Sequence, residues 1–197
     1  MNSVNLFPTT IGFSEDLEFT NKLLPIVKDY LSKLNETKYR WDYKITYDSN
    51  LPINTDPNLD FVRNKIIEQC IEYCNLTMHI CPKLGINIWF SEMTNGDEHQ
   101  RHNHTNSVFS GIFYLSVPEN SSPIIFFDPR DHEKYVRIEQ TLDTSNYIIH
   151  PKNGLCMIWP SWLEHQVPKN DKLTEPRITA VFDAYFLTNK HYDYTIS

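Results

Sequence analysis

Between residue 14 and about residue 34, the apolar positions Leu17, Leu24, Val27, Leu31 and Leu34 recur at spacings of seven, three, four and three. That is the period of a helix with one buried face. Pro25 lies within this stretch, and because it lacks an N–H it has to begin or interrupt part of the helix. A second helix is more sharply marked. Asp56 can cap it, Pro57 suits its first turn, and Leu59, Val62, Ile66, Cys70, Tyr73 and Cys74 trace its buried stripe. After Pro82 the period falls to two, with Ile86, Ile88 and Phe90 alternating with Asn87, Trp89 and Ser91. Further short strands are predicted over 108–117, 123–127, 146–149, 155–159 and 177–186, separated by Pro, Asn and Asp. Helices followed by many short strands describe an α+β, mainly β chain whose strands form an antiparallel sandwich or barrel. No linker or repeat divides it, so one domain over 1–197 is expected, helical to about residue 82 and barrel-like over about 83–190.

Composition narrows the class. Hydrophobic residues make up 40%, charged ones 22% and aromatics 13%, which excludes disordered, collagenous and coiled-coil chains. Eighteen basic against 25 acidic side chains give a net charge of −7 without any basic run, so nucleic acid is a disfavoured partner. No apolar stretch approaches the roughly 18 residues of a membrane span, and the N-terminus lacks a basic-then-apolar leader. A soluble, cytoplasmic protein is the expectation. Cys70 and Cys74, four apart on one helix face, read as packed small hydrophobes. With no Cys-x-x-Cys among the four cysteines, thiols of this kind fit a reducing compartment.

The chemistry concentrates in the strand half. Three of eight histidines fall in His99-Gln-Arg-His-Asn-His104. In an extended segment His102 and His104 point to the same side, so both imidazoles can reach one metal ion. A third ligand from elsewhere would complete one face of an octahedron and leave positions open, as in non-heme iron sites. On this pair alone, a polar loop whose histidines meet water is equally good. The second signal is Trp159-Pro-Ser-Trp-Leu-Glu-His165, followed twelve positions after the histidine by Arg177-Ile-Thr179, whose strand continues through Val181 and Asp183. A guanidinium pairs with a carboxylate in bidentate fashion, and a hydroxyl two residues on adds a hydrogen bond from the same face.

His-x-(acid or His), a distant His, then Arg-x-Ser/Thr resembles the pattern of the 2-oxoglutarate and Fe(II)-dependent oxygenases. Ile88-Trp-Phe-Ser91, His102-Asn-His-Thr-Asn-Ser107, Ser110-Gly-Ile-Phe-Tyr-Leu115, Phe127-Asp-Pro-Arg130, Pro160-Ser-Trp-Leu-Glu-His165 and Arg177-Ile-Thr179 occur in the family's order. They are similar to a small group of members, often from phage or bacteria, that carry His-x-His, as is the opening Leu6-Phe-Pro-Thr9. Two departures from the wider family stand out: its usual Asp is His104, and its usual Asn after the Trp strand is Ser91. The resemblance implies a double-stranded β-helix, a jelly-roll barrel with the N-terminal helices packed on one side. It also implies that His102, His104 and His165 hold Fe(II) and that Arg177 anchors 2-oxoglutarate with Thr179 and Tyr114 as hydroxyl partners. Tyr114 shares the parity of Val108 and Ile112, although a turn after His104 leaves its direction open.

The implied reaction consumes O2 and 2-oxoglutarate, releases succinate and CO2, and hydroxylates an unactivated C–H bond, a peptidyl or free amino acid side chain fitting the family best. A cupin-type three-His dioxygenase without 2-oxoglutarate and a non-catalytic metal-binding jelly roll are the alternatives; Arg177-x-Thr179 speaks against the first, and succinate production would mark the 2-oxoglutarate-dependent reading. Among other residues, His99 is a reserve ligand, with Asp97 and Glu98 as substitutes for His104. Trp159 and Trp162 read as barrel core and rim. His79, His132, His150 and His191 lack partners at ligand spacing and read as surface groups or local hydrogen-bonders. Glu164 is discounted as an orienter of His165 because adjacent strand residues point oppositely. A phage origin would place the protein in the host cytoplasm. The sequence fixes no oligomeric state, and a homodimer is compatible with it.

Overall fold

The computed structural model describes residues 8–34, 43–78, 83–129 and 146–187. Its first elements are a short strand β1 (Gly12–Glu15), a helix α1 (Leu17–Ser32), a two-residue strand β2 (Lys44–Ile45), a 3-10 turn over Pro57–Leu59 and a helix α2 (Asp60–Thr77). Eight strands follow: β3 (Leu84–Met93), β4 (His99–His102), β5 (Phe109–Ser116), β6 (Ile124–Phe127), β7 (Asn146–Ile149), β8 (Leu155–Pro160), β9 (His165–Val167) and β10 (Arg177–Phe186). They pair antiparallel into a six-stranded sheet ordered β1-β8-β5-β10-β3-β2 and a four-stranded sheet ordered β4-β9-β6-β7. Two such sheets face to face make the double-stranded β-helix that the resemblance implied, within the sandwich or barrel that the strand pattern predicted.

Helix α1 starts later than its apolar period suggested. Asp16 caps it by accepting from the Phe19 N–H at 2.9 Å, while Ser14 and Glu15 belong to β1 and Leu17 is 54% exposed. Pro25 neither begins nor ends the helix, which runs through it to Ser32. The burial of Leu23, Val27, Tyr30 and Leu31 against the sheet holds the turn where one backbone bond is missing. In α2 the structure follows the sequence closely. Asp56 accepts from the Asn58 N–H at the start of the 3-10 turn, and Val62, Ile66, Cys70, Tyr73 and Cys74 are all buried.

Residue parity along the central strands separates two cores. On β10, Ile178, Ala180, Phe182 and Ala184 face the helices, in one cluster with Leu23, Val27, Val62, Ile66, Phe90 and Phe113. The opposite parity faces the space between the sheets, where Ile112, Tyr114, Met157 and Trp159 pack on Ile124 and Phe126 of the smaller sheet. Both faces of the large sheet are thus buried, and Arg177, Thr179 and Asp183 lie on the inner parity of its β10 strand. Gly111 lets two layers of the helix-side core meet, since a Cβ there would fall on the Phe182 ring and 2.7 Å from the Met157 carbonyl oxygen.

Gly111→Ala should therefore overpack this junction and lower unfolding stability by about 1–3 kcal/mol, a loss that chemical denaturation monitored by tryptophan fluorescence would register.

Candidate metal and cosubstrate site

His102 closes β4 and lies opposite His165, the first residue of β9, in the antiparallel register. His104 stands two residues past β4, fixed by its own N–H, which donates to the Ser161 carbonyl at 2.9 Å. Asn106 then takes a left-handed backbone, φ 63°, before the chain enters β5. Ligand atoms of His102, His104 and His165 all lie within 4.8 Å of one another. Each ring is held from behind through Nδ1: His102 by the Gln100 carbonyl at 2.7 Å, His165 by the Leu163 carbonyl at 3.0 Å, His104 by Asp183 Oδ1 at 2.8 Å. An oxygen acceptor at Nδ1 keeps the proton there and leaves the Nε2 lone pair for a ligand bond. His104 Nε2 is buried with no hydrogen-bond partner. Trp159 meets the His165 ring edge-on, with centroids 4.9 Å apart, and Phe126 lies at 5.8 Å.

Burial favours neutral imidazole. It pushes His102 down to about 4 and His165 well below the ordinary histidine range, the neighbouring histidines adding to the shift. His99 is pushed down to about 3, mainly by burial and then by His102 and His104. Its ring lies 4.0 Å from that of His102 and is hydrogen-bonded through Nδ1 to the Tyr43 hydroxyl, so the structure puts it beside the three-histidine cluster and not in it. Asp97 turns away as well, accepting from the Thr94 N–H and hydroxyl. Glu164 faces outward in an ion pair with Arg101.

Deeper between the sheets lies a second polar group. Arg177 is 2% exposed. Its Nη1 donates to the Ser122 carbonyl at 3.0 Å and its Nη2 contacts Met93 Sδ at 2.8 Å, while Nε has no partner. Tyr114 points inward, fully buried, and its hydroxyl is also without a partner. It stands opposite Thr179 in the β5–β10 register, and Thr179 Oγ1 shares a hydrogen bond of 2.7 Å with Ser91 Oγ. Burial opposes charge on both Arg177, whose pKa it lowers, and Tyr114, whose pKa it raises.

Residues 87–183 match a family model described as "Putative 2OG-Fe(II) oxygenase". Over that stretch, just under half of its length, the chain is similar to the 2-oxoglutarate/Fe(II) oxygenases. No curated protein matches it in sequence, but solved structures share its fold. A Pseudomonas putida prolyl-4-hydroxylase is 12% identical with a TM-score of 0.63, over 91% of this chain and 94% of that one. A prolyl hydroxylase from Trichoplax adhaerens, solved with a hypoxia inducible factor peptide fragment, is 14% identical with a TM-score of 0.61, over 89% and 83%. HygX from Streptomyces hygroscopicus, solved with nickel and 2-oxoglutarate, is 13% identical with a TM-score of 0.58, over 90% and 83%. At these identities the likeness is one of fold.

The cofactors of the family are Fe(II) and 2-oxoglutarate, and the residues present suit both. Three imidazoles anchored through Nδ1, with the Nε2 of His104 buried and unpartnered, suit a divalent metal. A buried guanidinium with a spare N–H beside an unpartnered phenol suits a carboxylate. The oxygenase also has an open pocket of about 210 Å³ at the mouth, lined by Ile45, Tyr47, Trp89, His99, Asn103 and Thr105 together with His102, His104 and Asp183. Trp89 stacks toward His104 at 5.9 Å and meets Tyr47 edge-on at 5.1 Å. Sequence reasoning missed this wall and the contact of Asp183 with His104. The parity of Asp183 with Arg177 and Thr179 on one strand was the signal available. His150 is exposed and Trp162 lies on the rim; His79, His132, His191 and Arg130 fall outside the described residues.

The shifted histidines set a pH dependence of stability. Their folded pKa values lie below the unfolded ~6.5, so below pH 6.5 the unfolded chain takes up protons that the folded chain does not. The metal-stripped protein should be insensitive to these groups above pH 7 and lose melting temperature steadily from pH 6.5 toward 4. A melting temperature that rises over that interval would contradict the burial of His102 and His165.

Proposed function

We propose that the protein is a dioxygenase that hydroxylates an unactivated C–H bond, in a peptidyl or free amino acid side chain, with release of succinate and CO2. In this reading His102, His104 and His165 hold Fe(II), and Arg177, Thr179 and Tyr114 receive the distal carboxylate of 2-oxoglutarate. The supporting observation is the pairing of two sets of buried, unpartnered polar atoms in one barrel: His104 Nε2 at the mouth, and Arg177 Nε with the Tyr114 hydroxyl further in. Leaving buried polar atoms unmet costs about 1–3 kcal/mol each, and a metal chelated by a dicarboxylate would meet both sets at once.

When bound, the iron and 2-oxoglutarate supply the oxidising chemistry. The chain's part is placement and exclusion. Nδ1 anchors hold the imidazoles as neutral ligands, Arg177 orients the cosubstrate by its far end, and Trp159 and Phe126 keep water from the flank of His165. The pocket walled by Trp89 and Tyr47 presents the substrate C–H bond beside His102 and His104. A single domain spanning 1–197 and a cytoplasmic location complete the reading; no helix among the described residues is long and apolar enough to cross a membrane.

Arg177→Ala should weaken 2-oxoglutarate binding by two or more orders of magnitude while the variant still takes up one equivalent of metal. Unchanged affinity for 2-oxoglutarate would remove Arg177 from the role. Supplied with Fe(II), O2 and 2-oxoglutarate, the wild-type protein should form succinate, and the variant should not.

His104→Asp should keep iron bound by offering an anionic oxygen, whereas His104→Ala, with water in the vacated position, should bind more weakly. Metal titrations giving identical affinities for both variants and the wild type would mean that His104 is no ligand.

A further inference from the structure

The three imidazoles are held from behind by unequal groups. His102 and His165 lean on carbonyls two residues earlier in the chain, which are neutral and local. His104 leans on a carboxylate 79 residues away, on the central strand of the large sheet. Asp183 is 9% exposed, its carboxylate faces the His104 ring, and among the described residues no Lys or Arg lies within ion-pair distance of it. The same Oδ1 also accepts from the Ser110 hydroxyl at 2.6 Å, and Ser110 in turn shares a 2.8 Å hydrogen bond with Ser161. Both serines are essentially inaccessible, at 0% and 1%. Ser161 also accepts the His104 N–H through its carbonyl. Main chain and ring of His104 are therefore tied to one hydrogen-bonded network.

A carboxylate buried this deeply needs a positive charge nearby. The group it touches is an imidazole whose opposite nitrogen is buried and unpartnered. We propose that Asp183 is a positioning residue for the metal: through His104 it delivers the negative charge that three neutral histidine ligands lack, and it keeps the Nε2 lone pair aimed at the ion. The inference rests on the three-histidine metal reading above. The wider family places a carboxylate on the metal itself; here the carboxylate stands one imidazole away, where it raises the basicity of a ligand without occupying a coordination position.

The hydrogen-bond geometry assigns distinct outcomes to two substitutions. Asp183→Asn keeps an oxygen that can accept from His104 Nδ1–H and from Ser110, and removes only the charge. Asp183→Ala removes the anchor as well. Competitive titration of the metal-free proteins with Co(II) and Fe(II) should show affinity falling by tenfold to a hundredfold in Asp183→Asn, on the order seen when partners of metal-bound histidines are lost, and further in Asp183→Ala. The Fe(III)/Fe(II) midpoint potential of the iron-loaded protein should rise in Asp183→Asn, because the lost carboxylate favours the ferric charge. The Co(II) visible spectrum should stay close to wild type in the Asn variant and change in the Ala variant. A purely structural role would move the melting temperature and leave the potential alone. A reading independent of any variant is the His104 tautomer in the metal-free wild-type protein, for which nitrogen NMR should report a proton on Nδ1. A proton on Nε2, or Asn and wild-type proteins with equal affinity and equal potential, would overturn the role of Asp183. Wild-type protein that fails to bind one equivalent of Co(II) or Fe(II) would instead overturn the metal reading beneath it.

Discussion

A guanidinium with 2% exposure, set between two β-sheets, is the constraint around which the rest of the barrel is arranged. Desolvating Arg177 is expensive, and the groups near it in this structure are a carbonyl, a thioether and the phenols of Tyr114 and Tyr43, none of them a carboxylate. Such a site is tolerable for a fold whose working form places a dicarboxylate there. On the proposed reading stability and function are tied: 2-oxoglutarate would supply the counter-charge that Arg177 lacks, so its binding should stiffen the folded state by mass action.

That constraint is met by one strand. β10 carries aliphatic and aromatic residues on its outer parity, where they lock the sheet to both helices, and Arg177, Thr179 and Asp183 on its inner parity. Its register against β3 and β5 fixes what each inner residue meets: Met93 for Arg177, Tyr114 for Thr179, Ser110 for Asp183. A slip of one residue would send the guanidinium into the helix-side core and turn Phe182 toward the mouth, so the hydrophobic pattern that specifies the fold also specifies the site.

This explains how much the sequence disclosed. The long strands and both helices carry strong periods, and their positions follow from them. β1, β2, β4 and β9 have four residues or fewer and, unlike the equally short β6 and β7, no run of adjacent apolar residues longer than one or two, so their place comes from partners distant in the chain. The apolar period places the start of α1 too early because Leu17 fits it while its side chain stays exposed. The histidines and Arg177 were legible because their spacing carries chemical meaning. The pinning of each Nδ1 was not, because two of the acceptors are backbone carbonyls and the third comes from a strand 79 residues on. Tyr114, whose direction the turn at Asn106 left open, is settled by its register against Thr179.

The exchange of the family's ligand carboxylate for His104 looks at first like a loss of one negative charge from the centre. Asp183 changes that balance. With Arg177 and a dicarboxylate cosubstrate opposing one another, and a divalent ion opposed by one carboxylate, the proposed site carries the same net charge whether that carboxylate sits on the metal or behind an imidazole. What differs is distance and softness. A charge held behind a ring acts on the ion from further away, and imidazole is a softer ligand than a carboxylate. On this reading the substitution trades some preference for hard cations for a ligand set whose every member is clamped from behind, two by their own main chain and one by the strand that also carries the cosubstrate anchor. Metal and cosubstrate would then be coupled mechanically through β10, since a shift that improved the fit at Arg177 would be felt six residues along at Asp183 and, through it, at His104.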